Sequence, residues 1–278
     1  MISAAVVLYN TPADRIDDVI SSYAPSVERH LYLIDNSGER LAECQRTGWP
    51  EGVEYLYLGK NLGYGKAHNV GIQRAIAENS RYHLVLNPDV HFSPDVPDQL
   101  VSYADRHPDT VSMMPRVTYP NGELQYLCKL LPTPFDLIFR RFLGDIPPVR
   151  AMNDRYTLKS FGYHRIINPP CLSGCFMFLR TETLRENDLA FDERFFLYCE
   201  DFDLIRRLHR YGKTLFYPEA TIVHNHARGS YKSKKLLWMH IRSAFRYFNK
   251  YGWFFDPERR AMNKQILEEI REREKEFQ

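Results

Sequence analysis

The sequence predicts an α/β fold with a mostly parallel central sheet, because short apolar runs alternate with helix-length segments along its first hundred residues. The apolar runs, which we expect to be strands, are 2–8, 31–34, 53–58 and 83–86. The segments between them, which we expect to be helices, are 13–24, 39–46 and 64–79. This alternation is typical of a parallel sheet with helices on both faces. In such sheets ligands bind beyond the carboxyl ends of the strands, so the residues that follow each strand are the first candidates for a site.

The second half of the chain follows a less regular pattern. Residues 115–170 are rich in proline and predict an elaborated loop region, with a short hairpin at 116–126 and a helix near 134–143. Regular structure is expected to return as a strand at 174–180, helices at 181–188 and 200–211, short strands at 214–217 and 221–224, and helix over most of 235–277.

Composition and charge exclude several classes of protein. Lysine and arginine number 37 against 35 acids, so the net charge of +2 gives no general attraction to nucleic acid. The chain has no run of about 18 apolar residues that could span a membrane. Residues 1–10 predict a buried strand rather than a signal peptide. The five cysteines form no CxxC pair, which favours a reducing, cytoplasmic setting.

Asn87, Pro88 and Asp89 directly follow one of the predicted strands. A carboxylate at the carboxyl end of a strand faces the ligand crevice and suits a hard divalent cation such as Mg²⁺ or Mn²⁺. His224, at the end of a later strand, could complete such a metal site. The alternatives are simpler, since Asn, Pro and Asp also build turns, and a single histidine at a strand end is more often a structural residue.

Glu200, Asp201 and Asp203 form a second cluster of acids. The aromatic residues before it, Phe195 among them, would desolvate a neighbouring carboxylate and raise its pKa. This suits a general base that removes a proton from a hydroxyl group. Acids at the start of a helix also cap it and complement its dipole, so a purely structural role is the alternative.

Residues 61–69, with the sequence NLGYGKAHN, begin a predicted helix. Glycines and backbone N–H groups at the start of a helix can approach a phosphate group closely. The segment is neither a Walker loop nor a GxGxxG motif, so alone it indicates phosphate binding only weakly.

Taken together and in this order, these segments resemble the family 2 glycosyltransferases with the GT-A fold. The likeness is greatest to rhamnosyltransferase-like members that build bacterial surface polysaccharides such as O-antigen and capsule. It extends from residue 2 to about residue 252, and its most specific segments are NLGYGKAHNVGI, LNPDV and FDERFFLYCEDFDLIRRLHRYG. The resemblance implies a GT-A domain at 1–230, with a nucleotide-sugar half to about residue 110 and an acceptor half from about 111, and a helical extension at 231–278.

The resemblance also implies roles for individual residues. Asp201 takes the place of the catalytic base, with Glu200 beside it, and Asp89 and His224 take the places of the metal ligands. The first acid of the family's DxD motif is replaced by Asn87 here, and a neutral amide is a poorer metal ligand than a carboxylate. The donor site would comprise Tyr9, Asn10, Asp35, Asn61, Gly63, Lys66, Asn69, Asn87 and Arg228. The acceptor would lie near Ser173 and Gly174.

The function predicted from the resemblance is an inverting transfer of a sugar from a nucleoside diphosphate donor to a hydroxyl of a glycan or lipid-linked oligosaccharide. A dTDP-rhamnose donor is favoured over a UDP-sugar, and the cofactor would be Mg²⁺ or Mn²⁺. A degenerate transferase that only binds nucleotide or glycan is an alternative, favoured by Asn87. A sugar nucleotidyltransferase is another, but residues 9–12 lack the glycine-rich basic loop that it would need.

The segment from Arg228 to Gly252 carries seven basic residues and no acid. Arg242, Arg246 and Lys250 recur at a spacing of four, on a different helical face from the apolar residues. Such a helix either packs on its own domain with a solvated basic face or contacts an anionic membrane, where each basic residue contributes ~1 kcal/mol. The second alternative predicts a cytoplasmic protein held peripherally at the inner face of the membrane.

Overall fold

The computed structural model describes residues 1–41, 44, 48–139, 147–225 and 233–275. Its strands are β1 (Ile2–Leu8), β2 (Arg29–Asp35), β3 (Val53–Tyr57), β4 (Tyr82–Leu86), β5 (Val90–Phe92), β6 (Thr110–Thr118), β7 (Phe176–Arg180) and β8 (Lys213–His224). Its helices are α1 (Ala13–Tyr23), α2 (Tyr64–Ala77), α3 (Val96–Arg106), α4 (Pro147–Tyr156), α5 (Thr181–Glu186), α6 (Glu200–Leu208), α7 (Lys234–Tyr251) and α8 (Pro257–Lys275).

Strand β1 lies at the centre of the core and is buried along its whole length. Its alternate residues point to opposite faces of the sheet. Ala5 and Val7 pack with Ala67 of α2, whereas Val6 and Leu8 belong to the larger cluster that includes the buried side chains of α1. The continuous apolar run ISAAVVL is therefore explained by helices on both faces of the sheet, as expected for a central parallel strand.

The eight strands form one mixed sheet in the order β3-β2-β1-β4-β7-β6-β8-β5. Strands β1 to β4 are parallel, and β7 enters antiparallel between β4 and β6. Strand β8 is parallel to β6, and β5 is antiparallel to β8. Six strands therefore run in one direction, and the carboxyl ends of these six share one edge with the amino ends of β5 and β7. Among the described residues, the segments from which the sequence predicts site residues lie at this edge or in the loops beside it.

Several predicted elements differ from the observed ones. The structure adds α3, α4, β5 and the first part of β6, which the sequence did not predict. The two short strands expected at 214–217 and 221–224 are one strand, β8, whose pairing with β6 skips residues 218–220 at an irregularity. The described part of the helix expected near 134–143 is a π-helical turn at Phe135–Phe139. Of the helix expected at 39–46, residues 39–41 are not helical and half of the residues lie outside the described ones. The domain boundary expected near 230 also lies outside them.

The two C-terminal helices pack on the rest of the protein through a second apolar cluster. Ala244, Tyr247 and Phe248 of α7 are fully buried against Phe195 and Phe202, which flank the start of α6. Among the described residues, no helix combines the length and the apolar composition needed to cross a membrane.

Candidate active site

The loops after β1 and β2 form one wall of the site edge. The backbone N–H of Asn10 donates to the Ser37 hydroxyl over 3.1 Å, which ties the two loops together. Tyr9, by contrast, is 51% exposed beside this junction. Two of the predicted donor residues, Tyr9 and Asn10, therefore lie at an accessible position at the carboxyl end of β1.

Asp35 ends β2 and is fully buried. Its carboxylate accepts hydrogen bonds from the backbone N–H groups of Ser37 and Leu41, both at 3.0 Å, and from the Tyr55 hydroxyl at 2.5 Å. Burial alone would raise the pKa of Asp35, but these donors lower it below its usual value. In this arrangement the carboxylate organises the loop that follows β2, and both of its oxygens are already engaged.

The donor loop, residues 61–69, is held to that wall by a second polar contact. The Asn36 side chain donates to Asn61 Oδ1 over 3.1 Å and accepts from the backbone N–H of Leu62 over 2.7 Å. Asn61 Oδ1 also accepts from the N–H of Gly63. Asn36 therefore positions two predicted donor residues, Asn61 and Gly63, although the sequence did not single it out.

Tyr64, the first residue of α2, connects the donor loop to two other predicted segments. Its hydroxyl lies 3.0 Å from Oδ1 of Asn87 and 2.7 Å from the carbonyl oxygen of Gly174. Its backbone N–H donates to the carbonyl of Phe196, in the loop that precedes α6, over 2.8 Å. Burial, together with the negative charge of Glu200, raises the pKa of the Tyr64 hydroxyl well above its usual value. This hydroxyl is therefore a permanent hydrogen-bond donor.

Asp201 lies beside the segment predicted to be near the acceptor. Its Oδ2 accepts from the backbone N–H of Gly174 over 3.0 Å, and its Oδ1 accepts from the N–H of Phe202 over 2.9 Å. Burial raises the pKa of Asp201, against the opposing effect of the Lys129 charge. The half-buried carboxylate is thus held in place by two backbone groups and is a stronger base than an exposed aspartate.

Glu200 precedes Asp201 and is 5% exposed. Its Oε2 is buried and has no hydrogen-bond partner among the described residues. Burial and then the charge of Asp201 raise the pKa of Glu200 well above its usual value. A buried carboxyl oxygen without a partner is costly in a folded protein, and such groups occur characteristically at functional sites.

Lys129 is a site residue that the sequence did not reveal. The segment that carries it forms a single antiparallel bridge with Cys171, two residues before Ser173. Its Nζ lies 5.2 Å from the centre of the Phe202 ring, next to Asp201. It stands in the proline-rich region, more than seventy residues from α6 in sequence, and no motif marks it.

The predicted metal ligands meet because β5 pairs with β8. The register places Val90 opposite His224, so Asp89 and His224 are brought together, with 3.3 Å between Oδ1 and Nε2. Gln125, from the hairpin after β6, donates through its amide to the carbonyl of His224 over 2.7 Å. Its Oε1 lies 3.1 Å from His224 Nδ1, which must therefore donate the hydrogen, and Nε2 is left facing Asp89.

The charge state of His224 follows from these neighbours. Burial alone would lower the pKa of His224, but the neighbouring Cys175 sulfur and the Asp89 carboxylate raise it to about 10. Without another cation in the site, His224 is therefore an imidazolium that neutralises Asp89.

The residues at this position supply part of the ligand set of a divalent cation. Asp89 and His224 offer one carboxylate oxygen and one imidazole nitrogen, directed at each other. In the part of the chain that the structure describes, no group of three or more His, Cys, Asp and Glu side chains could hold a metal by itself. Two protein ligands fit a cation that takes its other ligands from substrate phosphates and water, which is how Mg²⁺ is commonly bound. The imidazole nitrogen favours Mn²⁺, a softer ion, over Mg²⁺.

Other predicted donor residues are engaged in contacts that hold the site together. Lys66 pairs with Glu193 over 2.5 Å, where both side chains are exposed to a large extent. The Asn69 amide is buried and makes two hydrogen bonds to the backbone of Phe191, at 2.8 and 2.9 Å. Ser173 accepts from the N–H of Cys175 at 3.4 Å. Arg228 lies outside the described residues.

The fold and this arrangement of loops define a class of protein, and the comparisons agree with them. The sequence profile described as Glycosyl transferase family 2 matches residues 3–185. This match covers more than half of the chain, so the chain belongs to glycosyl transferase family 2 and is a glycosyltransferase.

Two curated relatives are similar over most of the chain. One is N-acetylglucosaminyl-diphospho-decaprenol L-rhamnosyltransferase of Mycobacterium tuberculosis, 28% identical over 239 residues that cover 79% of this chain and 75% of the relative. The other is rhamnosyltransferase WbbL of Escherichia coli K12, 26% identical over 243 residues that cover 84% of this chain and 88% of the relative. The chain is therefore similar to rhamnosyltransferases in particular.

Solved structures of low sequence identity share the fold, which is that of the GT-A glycosyltransferases. GalNAc-T7 with UDP, GalNAc and Mn²⁺ superposes with a TM-score of 0.58 at 14% identity, covering 81% of this chain and 43% of its own. The mannosyltransferase PcManGT of Pyrobaculum calidifontis, with GDP-Man and Mn²⁺, gives 0.57 at 13% identity, covering 88% and 64%. S. aureus TarS 1–349 gives 0.52 at 16% identity, covering 86% and 65%, so this chain spans less than two thirds of each solved chain.

Proposed function

We propose that this glycosyltransferase transfers L-rhamnose from dTDP-rhamnose, with inversion, to a hydroxyl group of a lipid-linked glycan during synthesis of a bacterial surface polysaccharide. Two curated relatives named as rhamnosyltransferases support the donor, and the name of one includes a lipid diphosphate acceptor. A lipid-linked acceptor implies that the protein works at the cytoplasmic face of the membrane as a peripheral protein.

One observation carries the proposal, namely a continuous set of contacts from the donor loop to the candidate base. The Tyr64 hydroxyl contacts Asn87 and Gly174, and the N–H of Gly174 donates to Asp201. The segments predicted for the donor, the metal and the acceptor therefore meet around one aspartate whose pKa is raised by burial.

The reaction needs a base on the acceptor side, and Asp201 would supply it. Asp201 removes the proton from the acceptor hydroxyl, and the hydroxyl oxygen forms the new bond to the anomeric carbon. The bond between that carbon and the nucleoside diphosphate breaks on the opposite face, and the diphosphate leaves with the electron pair. The two backbone N–H groups on Asp201 fix the direction of the carboxylate, which contributes by orientation.

The departing diphosphate carries negative charge, which Asp89 and His224 would help to stabilise indirectly. These two residues would hold Mn²⁺ or Mg²⁺ with the donor phosphates, and the cation supplies electrostatic stabilisation of the leaving group. The backbone N–H groups at the start of α2 lie in the same region and favour an anion by the helix dipole. Arg228, predicted to assist here, remains a prediction.

The pyrimidine ring of the donor is proposed to bind between the loops after β1 and β2, next to Tyr9 and Asn10. Asp35, one of the donor residues that the resemblance implies, would contact the ring through its carboxylate. Because its oxygens are occupied by Ser37, Leu41 and Tyr55, that contact requires one of these hydrogen bonds to be exchanged for the ring N–H.

The proposal is tested by calorimetric titration with dTDP, UDP and GDP, each with and without Mn²⁺, followed by transfer assays with the corresponding sugar donors and a GlcNAc-diphospholipid acceptor. We expect dTDP to bind most tightly, Mn²⁺ to strengthen binding, and rhamnose to be transferred. If sugar were transferred only from a UDP-sugar, the proposal that dTDP-rhamnose is the donor would be wrong. Nucleotide binding without any transfer would favour a degenerate, binding-only transferase, the alternative that Asn87 suggests.

A further inference from the structure

We propose that the outer side of α7 and the turn that follows it form a docking surface for an anionic lipid bilayer. The purpose of such a surface rests on the proposed lipid-linked acceptor, but its existence is tested separately. The docking surface comprises the exposed side chains of Lys235, Trp238, Arg242, Phe245, Phe254 and Phe255.

The docking surface is unusual in how much apolar area it leaves in water. Phe255 is 83% exposed, Phe254 is 74% and Trp238 is 66%, and these are the three most exposed large apolar side chains in the part of the chain that the structure describes. Phe245, between them, is 48% exposed. Single exposed apolar residues need no explanation, but a contiguous group indicates an interaction site.

Helical geometry brings these residues into one stripe. Lys235, Trp238, Arg242 and Phe245 follow one another at spacings of three, four and three residues, which places them along one side of an α-helix. Basic and aromatic side chains therefore alternate along the stripe. Phe254 and Phe255 follow at its C-terminal end.

The exposed turn is held firmly on both sides. Gly252 has φ of 102°, and a side chain there would collide with the carbonyl of Phe255. The indole N–H of Trp253 donates to Asn249 over 2.8 Å, and its ring packs on Phe245 with centroids 4.9 Å apart. After the turn, Asp256 is buried in an ion pair with Arg206. The two phenylalanines are thus displayed by ordered backbone.

The charges on this side of the molecule favour an anionic partner. Helix α7 contains no acidic residue, and Lys235 and Arg242 are exposed. Arg260 of α8 places its guanidinium 5.9 Å from the Phe255 ring. The two acids that follow the turn are both engaged, Asp256 with Arg206 and Glu258 with Arg206 and Arg210.

The basic residues predicted to face the membrane differ from those found exposed. Lys250 forms ion pairs with Asp192 and with the buried Asp203, and Arg246 donates to the carbonyl of Arg194. Both side chains therefore hold α7 to the catalytic domain. Only Arg242 of the predicted basic line belongs to the docking surface.

These features fit a bilayer better than a protein partner. Tryptophan and phenylalanine favour the boundary between headgroups and acyl chains, where basic residues meet anionic headgroups. Each lysine or arginine near such a surface contributes about 1 kcal/mol. A second copy of the chain would bring the same positive charges together, and so it would be repelled by this surface.

The opposite side of α7 contacts the loop that leads to the base. The Ser243 hydroxyl donates to the carbonyl of Leu197 over 2.7 Å, and the rings of His240 and Tyr198 lie 5.3 Å apart. Docking through α7 would therefore hold the loop before Glu200 and Asp201 close to the membrane, where a lipid-linked acceptor is found.

Co-sedimentation of the full chain with vesicles tests the proposal. One set of vesicles contains phosphatidylglycerol with phosphatidylethanolamine, and the other contains phosphatidylcholine alone. We expect binding to the anionic vesicles only, weakened by salt. The double variants Phe254→Ser/Phe255→Ser and Lys235→Gln/Arg242→Gln should each reduce it at least about tenfold.

The matched control is Tyr211→Ser with Arg185→Gln, which removes one exposed aromatic and one exposed basic residue elsewhere on the surface and should bind like the wild type. Circular dichroism and transfer to a lipid-free acceptor verify that each variant is folded. Unchanged vesicle binding by folded docking-surface variants would overturn the proposal, as would a wild-type dimer that only these variants dissociate. Vesicle binding without any sugar transfer would refute the proposed function and leave the docking surface standing.

Discussion

Helix α6 carries acids in two contrasting environments, although only one residue separates them. At its start, Glu200 has a buried oxygen without a partner among the described residues, and Asp201 accepts hydrogen bonds from the backbone N–H groups of Gly174 and Phe202. Asp203, fully buried, accepts from Arg207, Lys250 and the Tyr251 hydroxyl. Among the described residues, the acids at the start of the helix therefore form no ion pair, with only the Lys129 charge acting on Asp201, whereas Asp203 is ion-paired with Arg207 and Lys250.

Within one motif, Glu200 and Asp201 are therefore candidates for the chemistry, whereas Asp203 has a structural role. A carboxylate that is buried without a cation has a raised pKa and a greater affinity for protons. A carboxylate buried in this way destabilises the folded protein, and the ion pairs made by the rest of α6 offset that cost. Arg206, 1% exposed, forms ion pairs with Asp256 and Glu258 and lies over the Tyr251 ring at 3.9 Å.

Asp201→Asn tests the catalytic side of this comparison most directly. Loss of the base should lower the turnover number by about 10²–10⁴-fold, while the affinity for nucleotide in calorimetry stays near that of the wild type. Asp203→Asn is the matched change on the structural side. It should lower the melting temperature clearly and change the turnover number little. Near-normal turnover in Asp201→Asn would show that another group is the base.

Arg206→Met tests the structural side alone. It leaves Asp256 buried without its cation, and breaking a buried pair in this way costs about 3–5 kcal/mol. Urea unfolding followed by fluorescence would measure the loss. Arg210→Met removes an exposed partner of the same cluster and should cost no more than about 1 kcal/mol. If both variants lost the same free energy of unfolding, the buried ion pair would contribute no more to stability than the exposed one.

Glu200→Gln sharpens the contrast through pH. The raised pKa means that the folded state favours the protonated carboxyl, so the wild type loses stability as pH rises from the unfolded-state pKa through the folded-state pKa. The amide cannot ionise, so the variant should be more stable than the wild type near neutral pH by more than about 1 kcal/mol. The gain should disappear below the unfolded-state pKa. A loss of stability at neutral pH would contradict the assignment.

The smallest expected effect concerns Lys129→Met. The Lys129 charge opposes the rise in the pKa of Asp201, so removing it should raise that pKa further. The acid limb of the pH profile of turnover should then move to higher pH. Lys159→Met, a lysine beside Tyr126 in the same region, serves as the control. An unshifted acid limb would show that Lys129 does not act on the base.

The sequence predicted the fold and most of the site edge because both depend on local patterns. Alternating apolar runs located β1 to β4, and the polar residues after them identified Asp35, Asn87 and Asp89. The antiparallel entry of β7 was not predictable from those patterns, because strand direction is decided by long-range pairing. The contact between Asp89 and His224 likewise depends on β5, three residues long, which the sequence did not reveal.

The parts of the site that were missed are those without a local signal. Gln125 and Lys129 come from the proline-rich region and act only through the fold. The spacing of Asp203 and Arg207 at i,i+4 on α6 was the one local signal that could have distinguished Asp203 from Asp201. The other partners of Asp203, Lys250 and Tyr251, lie more than forty positions away on α7. The structural acids differ from the candidate catalytic ones in their hydrogen-bond and ion-pair partners, not in residue type.

The close approach of the donor loop to Phe196 has a consequence for how this chain can vary. Gly63 has φ of 87°, and a Cβ there would overlap the carbonyl of Phe196, the acceptor for the N–H of Tyr64. In a library of all amino acids at this position, every residue except glycine would push the donor loop away from the loop that leads to Asp201. Position 63 is therefore expected to tolerate a single amino acid.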